Sequence, residues 1–76
     1  MEQVNYHNLI VVNPKVRFGK PCIKDTRIAV SDVLGWLASG MSMEEITADY
    51  PTVTREGILA CLAFAADKER VIKIAV

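Results

Sequence analysis

The chain has 76 residues, nine Lys plus Arg against nine Asp plus Glu, and 51% apolar residues. That length holds one domain (residues 1–76), and the apolar content argues against disorder. There is no apolar run of about 18 residues to span a membrane, and Glu2 stands where a secretory leader would carry a cation, so a cytoplasmic location is expected. A domain this small buries only about 60% of its unfolded surface, so a partner surface, most simply a second copy, would help it.

Charge is segregated although it sums to zero. Residues 13–30 carry Lys15, Arg17, Lys20, Lys24 and Arg27 against Asp25 alone, a balance of +4. Residues 31–56 carry Asp32, Glu44, Glu45, Asp49 and Glu56 against Arg55, a balance of −4. A basic loop beside acidic helices suits internal or intersubunit pairing, or a small cationic patch facing phosphates or an acidic partner. Solvated surface charge explains it equally well. A nucleic-acid binder that works alone is usually basic overall, and this chain is not.

In chain order, Leu9-Ile10-Val11-Val12 is a β-branched apolar run closed by Asn13-Pro14, which predicts a strand covered on both faces. Gly19 supplies a positive φ in a second turn, and Pro21 holds Lys20 extended. Ile28-Ala29-Val30 reads as a second strand, after a long loop packed by Val16, Phe18 and Ile23. Ser31 is the expected N-cap of a first helix that places Val33, Trp36 and Leu37 on one face, with Leu34 beside them, and ends at Gly40. The capping box Ser42-x-x-Glu45 opens a short helix carrying Met43 and Ile46 inward, and Tyr50-Pro51 closes it. Thr54 caps a third helix running from about Arg55 to Arg70. Residues 57–66 of that helix contain no charge, with Ile58, Leu62 and Ala65 in one stripe and Cys61 and Phe64 in another. Such a helix in so short a chain predicts a chain–chain surface, with a homodimer as the first choice. The β-prone tail Val71–Val76 is a candidate strand beside the N-terminal one.

Candidate chemistry is sparse. Cys22 and Cys61 read as reduced thiols rather than a disulfide. His7 with these two lacks the paired spacing of a zinc site, and neither thiol is marked as activated. Glu44, Glu45 and Asp49 read as capping and solvated carboxylates, and the loop 19–27 lacks the phosphate-binding pattern of a P-loop. No catalytic residue, metal or cofactor is expected.

The string Phe18-Gly19-Lys20-Pro21-Cys22-Ile23-Lys24-Asp25-Thr26-Arg27-Ile28-Ala29-Val30 resembles the hallmark of a bacterial domain-of-unknown-function family, roughly G-[KR]-P-x-[IF]-x-G-T-R-[IV]-x-V. Gly40, Met43-Glu44-Glu45-Ile46, Asp49-Tyr50-Pro51 and the Thr-initiated helix continue the likeness over nearly the whole chain. The resemblance implies a mainly α fold, a three-helix homeodomain-like helix-turn-helix bundle with a short N-terminal β element. It also implies an antitoxin-like role of the VapB type, in a dimer, with a small nuclease-like toxin or DNA as partner. Two positions depart from the pattern. Asp25 replaces a common Gly at a turn that Asp tolerates, and Gly57 replaces an acidic residue and weakens the third helix.

Gly19, Pro21 and Thr26 are expected to shape the loop, and Arg27 to tie it to Asp32 or Asp49. Lys20, Lys24, Arg27, Thr54 and Arg55 are the candidates for contact with nucleic acid or a partner. Glu56 beside Arg55, and the apolar helix beyond, make direct base reading poor. Leu9, Val11, Cys61, Phe64, Ile72 and Ile74 are the candidates for a dimer or partner interface. An interaction module therefore ranks ahead of a DNA-binding regulator.

Overall fold

The computed structural model describes residues 6–71, with side chains through Glu69. A short 3₁₀ turn, Tyr6–Asn8, leads into strand β1 (Ile10–Val11), which pairs antiparallel with β2 (Cys22–Ile23) in the register Ile10↔Ile23 and Val11↔Cys22. Helices α1 (Val30–Ala38), α2 (Met43–Asp49) and α3 (Arg55–Val71) follow. The described residues thus form a small, mainly helical domain of three helices with a short two-stranded antiparallel sheet. No helix among the described residues is long and apolar enough to cross a membrane.

Helix boundaries follow local chemistry. Ser42 Oγ accepts from Glu45 N at 3.1 Å while Glu45 Oε1 accepts from Ser42 N at 2.9 Å, a complete capping box at the start of α2. Thr54 Oγ1 accepts from Gly57 N at 3.0 Å and caps α3. Gly40 sits at φ +103°, just past the end of α1, as the helix-closing position requires. The start of α1 differs from expectation. Ala29, not Ser31, occupies the N-cap, and its N–H donates to Asp32 Oδ2 at 3.0 Å. Val30 N–H donates to the Pro21 carbonyl at 2.9 Å, so a bond to the preceding loop fixes the helix start earlier than Ser31 would.

The strand expectations need two corrections. β1 is covered on one face only: Ile10 is buried, whereas Val11 and Val12 are exposed. The second strand is Cys22–Ile23, and Ile28-Ala29 folds back on it through Ile23 N–H to the Ile28 carbonyl at 2.9 Å and a single Cys22↔Ala29 bridge. Thr26 makes that reversal, donating from Oγ1 to the Ile23 carbonyl (2.8 Å) and accepting from Ile28 N (3.0 Å). Asp25 takes φ +62°, the left-handed conformation that Asp tolerates better than most residues. The tail 72–76, expected as a strand, lies outside the described residues.

The core gathers Ile10 and Ile23 from the sheet, Val30 and Val33 from α1, Ile46 from α2, Val53 from the connection, and Ile58, Ala60 and Cys61 from α3. Leu9, Leu34, Trp36, Leu37 and Phe64 pack around it, half-buried. The N-terminal turn is fastened to the far end of α3, where Tyr6 Oη donates to Asp67 Oδ2 at 2.7 Å and its ring meets Phe64 edge-on at 5.5 Å.

Candidate interaction surfaces

Lys20, Lys24 and Arg27 come together. All three are exposed and line one open groove of about 790 Å³, with Val11, Val12, Pro14 and Val16 as its apolar wall. Thr54 and Arg55 sit elsewhere, at the N-terminus of α3. The Thr54 hydroxyl is engaged as the cap, and Arg55 Nη1 lies 3.5 Å from Met43 Sδ.

The loop is tied down by a different arginine from the one expected. Arg17, not Arg27, reaches the helical part: its Nη1 donates to Asp32 Oδ2 at 3.0 Å, as an ion pair, and to the Arg27 carbonyl at 2.7 Å. Arg27 contributes its backbone, and its side chain is left to the groove. Partial burial opposes ionisation of Asp32, but the Ala29 N–H and the Arg17 guanidinium outweigh it and hold the carboxyl below its usual range.

The interface candidates separate. Leu9 packs half-buried on the core, and Val11 is 38% exposed on the groove wall. Cys61, expected at a chain–chain surface, is wholly enclosed, because α3 turns Gly57, Ile58, Ala60 and Cys61 toward the core. Burial pushes its thiol up to about 11. Phe64 lies half-buried between Tyr6 and Lys68 and lines a second cavity of about 530 Å³ with Pro21, Val30, Leu34 and Ala65. Ile72 and Ile74 lie outside the described residues.

Three features are not legible in the sequence. Leu62 faces away from the core, 38% exposed, and lies in an outward apolar stripe at helical spacing with Leu59, Ala63 and Ala66. Leu59 and Ala63 are half-buried in that stripe, and Ala66 is exposed. Trp36 and Tyr50 stack at 4.1 Å with their planes 6° apart, setting the last turn of α1 against the residue that follows α2. Phe18, expected to pack the loop, is fully exposed instead. It lies in a run of left-handed residues: Arg17 at φ +51°, Phe18 at +58° and Gly19 at +83°.

The arrangement resembles the crystal structure of a DUF433 member protein from Anabaena variabilis ATCC 29413. The TM-score is 0.78 and the sequence identity 28%, over 84% of this chain and 63% of that one. The present chain therefore spans less than two thirds of that solved chain. No curated protein matches the chain. Residues 10–65 match the family described as a protein of unknown function (DUF433), and the chain belongs to that family.

Proposed function

We propose that this chain is a non-enzymatic interaction module, an antitoxin-like protein that acts as a homodimer and sequesters a small nuclease-like toxin. The observation that carries this reading is the outward face of α3. If α2 and α3 act as a homeodomain-like helix-turn-helix, α3 is the helix that enters the major groove. Its outward stripe is Leu59, Leu62, Ala63 and Ala66, which offers neither a hydrogen bond to a base edge nor a cation to a phosphate. An apolar stripe on the outer side of a helix suits a protein partner instead.

The test is co-expression with the protein encoded by the neighbouring gene. That protein is expected to co-purify with the wild-type chain and to be lost with Leu62→Asp, whose circular dichroism should match the wild type. Unchanged co-purification with Leu62→Asp removes α3 as the binding face.

The alternative reading is a DNA-binding regulator, and the gathering of Lys20, Lys24 and Arg27 in one groove favours it. A gel shift of the chain's own promoter DNA that weakens steeply with salt, and is lost in Lys20→Ala/Lys24→Ala/Arg27→Ala, would support that reading.

A further inference from the structure

The basic groove is built from stretches of chain that are locked to one another. Residues 11–16 supply its apolar side, and Lys20 with the turn 24–27 supplies its charged side. Thr26 fixes the turn through its two hydrogen bonds, and on the apolar side Val16 N–H donates to the Asn13 carbonyl at 2.9 Å. Arg17 joins the two sides. It follows Val16 directly, and its guanidinium donates to the Arg27 carbonyl and to Asp32. The buried Cys22 thiol donates to the Lys20 carbonyl at 3.3 Å. A groove held in this way is formed before anything binds, so little ordering opposes a ligand.

Its lining combines two chemistries. Lys20, Lys24 and Arg27 bring three positive charges against the single carboxylate of Asp25. Among the described residues the ion pair is Arg17 with Asp32, and none of these three cations is in one. The other side is apolar, with Val11, Val12 and Pro14 exposed and Val16 half-buried.

This combination selects among anions. A net positive lining attracts a phosphate or a carboxylate alike. A nucleic-acid backbone of phosphates and sugars gains nothing from three valines and a proline. A peptide with alternating acidic and apolar residues matches both sides at once. In an extended chain successive side chains point in opposite directions, so alternation sends carboxylates one way and apolar groups the other. The groove is open, so a continuous chain can enter and leave it. Thr54 and Arg55, at the helix start that a helix-turn-helix would set in DNA, lie outside it.

We infer that this groove docks an extended acidic segment of a partner protein. Its carboxylates meet Lys20, Lys24 and Arg27, and its apolar side chains rest on Val11, Val12 and Val16. The inference stands apart from the outward stripe of α3 and from the homodimer, and it gives the groove to protein rather than DNA.

The test is an array of short peptides that alternate Asp or Glu with Leu, Ile or Val, probed with the labelled full chain. Two control sets carry Ser at the apolar positions or Gln at the acidic ones. The best binder is then titrated by fluorescence anisotropy. Both substitutions in the peptide are expected to weaken binding by about tenfold or more, as is Lys20→Gln/Lys24→Gln/Arg27→Gln in the chain. Val12→Ser should weaken the alternating peptides by about threefold or more and leave the Ser set unchanged. Circular dichroism should be unchanged in both variants, because every altered side chain is exposed. A blank array overturns the proposal, and so does Ser-set binding equal to that of the alternating set. A DNA duplex that binds the wild type, is lost in the triple variant and is indifferent to Val12→Ser overturns it in favour of nucleic acid. A triple variant that turns a wild-type dimer into a monomer overturns it in favour of a second copy.

Discussion

Asp32 shows how one side chain joins loop to helix. Its carboxylate accepts from the Ala29 N–H at the head of α1 and from Arg17 at the loop tip. Asp32→Asn should lower stability by about 0.5–1 kcal/mol near pH 7, as loss of a charged helix-start contact does. The pKa is depressed in the folded chain, so the stabilisation is present above the unfolded carboxyl value, about 3.9, and is lost as pH falls through the folded value. Urea denaturation of both forms from pH 7 to pH 3 should therefore show the gap closing at the acid end. A gap that does not change with pH removes the charge from the explanation. Cys61 makes the opposite case, a thiol held neutral by burial. A thiol reagent at pH 8 should leave it unmodified in the native chain and label it on unfolding in urea.

At the scale of elements, caps were legible and pairing was not. Ser42-x-x-Glu45, Thr54 and Gly40 act over three or four residues, so their effect is written in the local sequence. The start of α1 escaped because the decisive bond, Val30 N–H to the Pro21 carbonyl, depends on the path of the whole intervening loop. The second strand was misplaced for a related reason. Ile28-Ala29-Val30 has the β-branched composition, but the Thr26 turn puts Cys22-Ile23 beside β1. Glycines within helices give a further prediction. A Cβ on Gly35 would meet nothing within 4 Å, and one on Gly57 would make ordinary contacts with Thr54 Oγ1 at 3.5 Å and Ile23 Cδ1 at 3.6 Å. Gly35→Ala and Gly57→Ala should each stabilise the chain by about 0.5–1 kcal/mol in thermal denaturation. A loss of stability at Gly57 would mean that the contact with Ile23 is tighter than those distances imply.

At the scale of the whole molecule, the sequence announced an apolar third helix but not which of its faces is covered. The core takes Gly57, Ile58, Ala60 and Cys61, so the stripe left outside is the one centred on Leu62. Phe18 was unreadable for a different reason: its exposure depends on two successive left-handed residues, and nothing in the residue types Arg-Phe announces them. The basic candidates fared better, because Lys20, Lys24 and Arg27 lie on one short loop that chain geometry alone keeps together. Among the described residues, these placements leave the outward stripe of α3, the recess beside Phe64 and the basic groove open to solvent.

The central claim is that this chain works as a pair. Light scattering on the purified chain during size-exclusion chromatography tests it most directly. The account predicts a mass twice the 8.4 kDa of one chain, stable on dilution through the low micromolar range. A mass of 8.4 kDa at every concentration would contradict it.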